Sequence, residues 1–331
     1  MIITRTPFRI SFFGGGTDYP VWYKENKGAV LSTTINKYCY ISCRYLPPFF
    51  NYKYLIRYRL REEVRNAKDI NHPAVREALK YLRIKNGVEI VHTSDIPAQS
   101  GVGSSSSFTV GLLHTLYALK GKIVTKRKLA DDAIHIEQNI INENVGSQDQ
   151  VAVAFGGFNK IEFGGDNEFY VHPITLSKER VDLLQDHLML FFTGFSRTAS
   201  EIASEQIRQT NNKKKELTNL LEMVDAAVNI LNGNSDLNKF GKLLHESWEI
   251  KRDLTHLITT HKINEIYDTA LRSGALGGKV LGAGGGGFIL LFVPPQYHGR
   301  VREKLKRLLH VPFGFEKLGS QVVLYAAQDF Y

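Results

Sequence analysis

The chain has 331 residues, 43% hydrophobic and 23% charged, enough to bury one elongated domain or two fused ones. Its 42 basic residues against 33 acidic give a net charge of +9, which implies anionic partners without choosing among nucleic acid, lipid and small phosphates. No apolar stretch can span a bilayer, the first residues Met1–Pro7 lack the apolar core of a signal peptide, and two cysteines, Cys39 and Cys43, are too few for a disulfide framework or zinc cluster; a cytoplasmic protein with reduced, packed thiols is expected.

Strand-like segments come first, at Ile2–Thr4, Phe8–Phe13, Ala29–Leu46, Lys53–Leu60 and Val88–His92. The tyrosine-rich basic stretch around Lys53, Arg57, Arg59 and Arg61 superficially suggests a nucleic-acid surface, but its alternation with Tyr54, Ile56 and Tyr58 reads better as a half-buried strand with a solvated basic face. Helical patterns follow at Ser105–Leu119 and Lys126–Glu143, then a strand near Gly157–Phe163. A second half starts near Ser177, with a strand at Leu188–Thr193, helices through Ala199–Leu231, Leu237–Thr259 and Ile263–Ser273, and strands Phe288–Val293 and Gln321–Tyr325 around a helix Pro295–Leu309. Strands and helices do not alternate regularly enough for a doubly wound parallel sheet, so the class is α+β, with domains at 1–176 and 177–331.

Five segments carry chemistry. The run Pro97–Ser107 places Gly101 and Gly103 before a helix whose start offers unpaired N–H groups and the positive end of its dipole, a phosphate cradle; an ordinary serine-capped helix after a glycine turn would read the same way. On the helix Lys126–Glu143, Glu137 falls in the middle of the face made by Ala130, Ala133, Ile134, Ile140 and Ile141. A carboxylate there is buried, which calls for a Mg²⁺ ion or for a core Arg or Lys. Asp149, in Gly146-Ser147-Gln148-Asp149-Gln150, either caps a short helix or accepts the proton of an attacking hydroxyl. Arg9 lies on an apolar strand leading into Gly14-Gly15-Gly16-Thr17-Asp18-Tyr19. As a partner of Asp149 at ~4 Å, it would contribute about 4 kcal/mol of attraction at an effective dielectric of ~20, before desolvation. The glycine run Gly277–Gly287 lies between a helix and a strongly apolar strand, where close packing on a ligand or on the first half explains it better than a linker does. The P-loop pattern and the protein-kinase signatures are absent.

Taken in order, these segments resemble the motifs of the GHMP kinases, the superfamily of galactokinase, homoserine kinase and mevalonate kinase. Pro7–Tyr19 matches the first motif of galactokinase, the serine-rich run matches the ATP-phosphate loop, and Glu137 and Asp149 keep the family's spacing. The resemblance implies a two-domain fold, with an N-terminal domain like the second domain of ribosomal protein S5 and a ferredoxin-like C-terminal domain. It also implies ATP and Mg²⁺ as cofactors, Asp149 as base or hydroxyl orienter with Arg9 in support, Glu137 and Ser105 or Ser104 on the metal, and Gly101, Val102, Gly103, Ser104, Ser105 and Ser106 at the triphosphate. Gly284 and Gly285 would lie near substrate. Gly15-Gly16 stand where galactokinase has Glu-His, and with Thr193–Ala199 they look like the D-glycero-D-manno-heptose 7-phosphate kinases, which make the 1,7-bisphosphate on the way to GDP-heptose and bacterial surface polysaccharide. Gly15, Gly16, Thr17 and Asp18 would then face the sugar, and Arg197 would receive its 7-phosphate or else be a solvent-exposed helix-start residue. Partners implied are a sugar phosphate and ATP, with no nucleic acid or membrane, for a monomer or homodimer. Another sugar 1-kinase of the family and a non-catalytic regulator on the same fold remain alternatives.

Overall fold

The computed structural model describes residues 1–164, 168–194, 199–233 and 235–326. The long first strand β1 (Ile2–Phe13) pairs antiparallel with β2 (Gly28–Tyr45), and the register slips at Pro7/Phe8. Proline is tolerated there because the strand on the other side of β1 reaches only Ile2–Arg5, so no ladder needs the missing N–H. With β3 (Tyr54–Arg57) and β4 (Arg61–Val64) forming a hairpin, the strands outward from β2 are β5 (Val88–Ser94), then β3, then β4, while β6 (Phe158–Gly164) and β7 (Glu168–Pro173) extend the sheet from the other end of β2. The expected strand Lys53–Leu60 is therefore a short hairpin; its basic side chains Lys53, Arg57, Arg59 and Arg61 are exposed, as the alternation requires.

The second sheet is antiparallel and four-stranded, in the order β11 (Leu309–His310), β8 (Leu188–Gly194), β10 (Gly287–Phe292), β9 (Gly277–Val280). Helices Ala199–Gln209, Lys214–Asn232, Asn238–Arg252 and His261–Arg272 accompany it. The class is α+β, as expected, but the last strands, β12 (Phe315–Glu316) and β13 (Gln321–Tyr325), leave the second sheet and pair with β2 and β1. The division of the fold in space is thus not a single cut after residue 176: the chain goes out to the second sheet and comes back.

The two halves share one core. Phe12 and Phe13 at the end of β1 meet Phe240 of the helix Asn238–Arg252 at centroid distances of 5.6 and 5.1 Å, and Phe240 meets Phe292 of β10 at 6.1 Å. Cys39 and Cys43 are free and buried on β2, and burial pushes both thiols up, away from reactivity. Among the described residues no helix is long and apolar enough to cross a membrane.

Candidate active site

The helix Ser104–Leu119 begins on Gly103, which adopts a left-handed φ of 77° and supplies no side-chain cap. With no acidic residue in its first turn, the helix start keeps unpaired N–H groups, as an anion site needs. The loop before it is held from two sides. Arg9 N–H donates to the Val102 carbonyl at 3.0 Å and Arg9 Nη1 to the Gly101 carbonyl at 2.7 Å. From the second half, a Cβ on Gly101 would come within 2.4 Å of the Leu281 carbonyl, one on Gly282 within 2.7 Å of Gly101 Cα, and one on Gly287 within 2.3 Å of the Ser100 carbonyl. The two glycine-rich runs are therefore packed backbone to backbone, which is why neither tolerates a side chain. Gly284 and Gly285, expected at the substrate, lie against the segment around Ile258, and Gly285 N–H donates to the Ile258 carbonyl at 2.8 Å.

Asp149 stands at the start of the helix Gln148–Phe155, 23% exposed, with 3%-exposed Arg9 behind it. The pair is bidentate: Nε donates to Oδ1 at 2.7 Å and Nη2 to Oδ2 at 2.8 Å. A Cβ on Gly103 would lie 3.2 Å from Arg9 Cγ and 3.4 Å from Asp149 Oδ2, so the loop passes directly over the pair. A planar guanidinium fork fixes the carboxylate's rotation as well as its position.

Glu137 is buried, as the helical pattern requires, but the helix carrying it changes character: α over Lys126–Ile134, it widens to a π-helix over His135–Ile140. Such widenings recur at functional sites because they re-aim a side chain. Glu137 Oε2 accepts from Ser106 Oγ at 3.0 Å and from Gln150 Nε2; Oε1 is buried without a hydrogen-bond partner among the described residues. Ser106, not Ser105, is the serine that touches Glu137, and Ser105 is exposed. Burial pushes the Glu137 carboxyl up to about 7, against the pull of Thr109, Gln150 and Ser106 and with a further push from Glu143. Among the described residues no Arg or Lys pairs with it, and no set of three or more His, Cys, Asp or Glu side chains forms a metal cage. A lone carboxylate with an unfilled oxygen fits a Mg²⁺ ion that takes its other ligands from phosphates and water.

In the first motif, Asp18 is buried; its Oδ1 accepts from Gly16 N–H at 2.9 Å and its Oδ2 from Gln148 Nε2 at 2.9 Å, tying the motif to the turn before Asp149. Burial pushes its carboxyl up, with a smaller push from Asp149. Thr17, expected at the substrate, is fully buried: its hydroxyl bonds the Gly14 carbonyl at 2.8 Å and bridges the backbone of Ala29, so it holds the turn together. Beside Gly16 lies a small cavity lined by Tyr19, Gln206, Gln209, Thr210 and Lys213. A larger cavity of about 430 Å³ opens on the other side of Tyr19, along Lys24, His135 and Glu143, and includes neither Arg9 nor Asp149. Arg197 lies outside the described residues.

Two buried cations were not singled out in the sequence. Lys251 extends from the helix Asn238–Arg252 and Lys279 from β9, and Lys279 Nζ donates to the Phe12 carbonyl at 2.9 Å. Burial pushes both ammonium groups down, Lys279 the further, helped there by Lys251 and Arg9. The signal was available for Lys251, which follows Leu244, Ser247 and Trp248 on the buried face of its helix.

Two family models match the chain, the GHMP kinases N terminal domain over residues 71–157 and the GHMP kinases C terminal over residues 223–311. The chain belongs to the GHMP kinases. A GHMP kinase is an ATP-dependent kinase with an alcohol group as acceptor, and the two-domain α+β architecture is that of the family. Among relatives, the D-glycero-alpha-D-manno-heptose 7-phosphate kinase of Campylobacter jejuni is 29% identical over 317 residues, 89% of this chain and 90% of that protein. A galactokinase of Pyrococcus furiosus is 26% identical over 88% of this chain and 89% of its own. The crystal structure of a D-glycero-D-manno-heptose 1-phosphate kinase from Bacteroides thetaiotaomicron superposes with a TM-score of 0.78 at 24% identity, covering 100% of both chains, which speaks for the fold.

Proposed function

We propose that this GHMP kinase transfers the γ-phosphoryl group of ATP to the anomeric (C1) hydroxyl of D-glycero-D-manno-heptose 7-phosphate, giving the 1,7-bisphosphate. The choice of sugar rests on the end-to-end similarity to the Campylobacter jejuni kinase, together with Gly15 and Gly16 in place of the two polar residues of galactokinase. The chemistry rests on the bidentate Arg9–Asp149 pair under the phosphate loop.

In this reading Asp149 orients the acceptor hydroxyl and takes its proton as the new P–O bond forms, and Arg9 holds Asp149 in place and faces the developing charge. Gly101, Val102, Gly103 and the first turn of Ser104–Leu119 hold the phosphates through backbone N–H groups. Glu137 and the hydroxyls of Ser105 or Ser106 would hold Mg²⁺, which when bound neutralises phosphate charge. Asp18 and the backbone at Gly15-Gly16 line the sugar side, and Arg197 anchors the 7-phosphate. Catalysis is then chiefly positioning and preorganised electrostatics.

The test is ATP consumption against a panel of free and phosphorylated sugars, with the product's phosphate position read by phosphorus NMR. Turnover confined to heptose 7-phosphate, with a new anomeric phosphate, is expected. Preference for free fucose or galactose would move the chain to another sugar 1-kinase, and binding without turnover on every sugar would make it a regulator on this fold.

A further inference from the structure

Lys251 occupies a place that its fold alone does not explain. Its side chain comes from the second half, is only 6% exposed, and among the described residues makes one long hydrogen bond, Nζ to the Gly282 carbonyl at 3.4 Å. The two carboxylates whose charge it feels, Asp18 and Asp149, have their oxygens engaged elsewhere, by Gly16 and Gln148 and by Arg9. A buried ammonium with unfilled donors is expensive unless an anion completes it.

Its surroundings say which anion. Gly282 packs on Gly101 of the phosphate loop, whose carbonyl accepts from Arg9 Nη1. On the opposite side, a Cβ on Gly15 would lie 2.9 Å from Lys251 Nζ, so the ammonium sits in the space left by the side chain missing from the first motif. Lys251 thus lies at the seam between the segment that faces the acceptor and the loop that holds the donor phosphates, within electrostatic reach of both members of the Arg9–Asp149 pair. A phosphoryl group passing from donor to acceptor has to cross that seam.

We propose that Lys251 is a further catalytic residue, whose ammonium meets the migrating phosphoryl group across from Arg9. In the step, the bond from the γ-phosphorus to the bridging oxygen of ADP breaks as the bond to the acceptor oxygen forms. The hydroxyl proton goes to Asp149, and Lys251 keeps its protons throughout, matching charge on the equatorial oxygens. Lys279 Nζ is held by the Phe12 carbonyl at 2.9 Å, a shorter bond than the one Lys251 makes.

This rests on the sugar-kinase reading, and wild-type turnover on the sugar panel tests that reading separately. With the sugar that wild type turns over, Lys251→Met is expected to lower kcat by about 10²–10³ while the KM values for ATP and sugar move less than about threefold. A readout that a merely structural role would not move is binding of ADP with Mg²⁺ and aluminium fluoride, a phosphoryl mimic, in the presence of that sugar. Its stabilisation of the protein against heating should vanish in Lys251→Met, while that by ADP alone persists, and Lys251→Arg should restore part of kcat. A near-normal kcat, or a loss confined to the KM for the sugar, overturns the proposal. Should the methionine variant not fold, Lys251→Gln is read by the same outcomes.

Discussion

Asp149, 23% exposed, has both oxygens clasped by Arg9, whereas Glu137, buried to 1%, leaves Oε1 without a partner among the described residues. Both carboxylates flank the loop before Ser104–Leu119, yet the chain completes one and leaves the other incomplete. The first is an assembled group, ready whatever else is bound. The second carries its burial as a raised carboxyl, about 7, which Thr109, Gln150 and Ser106 offset in part and a proton or a cation would relieve further. The contrast teaches that preorganisation here is divided: protein supplies the counter-charge where geometry must be fixed, and leaves it out where, in the proposed function, Mg²⁺ would arrive with the nucleotide.

The largest expected effect tests the assembled side. Asp149→Asn should lower kcat by about 10²–10⁴ while ATP still binds, measured by single-turnover kinetics and nucleotide titration. Turnover near wild type would take Asp149 out of the mechanism. Glu137→Gln probes the incomplete side and should do the reverse to stability. Because the folded carboxyl sits at about 7, above its ordinary 4.5, the metal-free folded protein holds a proton that the unfolded chain has released between those values. Stability from this group therefore falls as pH rises from about 4.5 to about 7, by up to about 3 kcal/mol, and the glutamine variant should lose that slope in denaturant melts without Mg²⁺. Parallel melts for the two proteins would mean that Glu137 is relieved by a partner in the protein itself. Its Mg²⁺ dependence of activity should weaken at the same time.

Arg197→Ala carries the comparison to the acceptor, asking whether its phosphate too meets a counter-charge supplied by the chain. It should raise the KM for heptose 7-phosphate about tenfold and leave that for ATP unchanged, as loss of one charge-assisted contact does. Equal effects on both substrates would remove Arg197 from the acceptor side. The smallest effect separates two neighbouring hydroxyls. Ser106→Ala, which strips a hydrogen bond from Glu137, should lower stability by about 1 kcal/mol, and Ser105→Ala, exposed, by less. The opposite order in thermal melts would mean that the Ser106 hydrogen bond is not what supports Glu137.

What the sequence made legible follows from how local each signal is. The strand carrying Arg9, the burial of Glu137 and the close packing of the glycine run each leave a period or a composition, and each is found in the structure. The meeting of Arg9 with Asp149, 140 positions apart, leaves no local trace and was reachable only through resemblance to a family. The π turn at His135–Ile140 escaped because a 100° period cannot register one added residue per turn. Helices Pro73–Tyr81 and Lys178–Asp186 were missed as short segments lying against the surface, and Thr17 was misplaced because a motif threonine can serve the turn instead of the ligand. Lys279 hid in a glycine run whose neighbours drew attention to backbone rather than to charge.

The return of β12 and β13 to the first sheet has a mechanical consequence. A lobe hung on a single connection can swivel about any axis, but the four-stranded sheet is strung between two, one entering before β8 and one leaving after β11. Twin tethers, with Phe12 and Phe13 packed on Phe240 between them, deny the sheet free rotation, so that Lys251 and the Gly282–Gly287 run are held in fixed register against Gly15 and Gly101, as a drawer on two rails keeps its alignment.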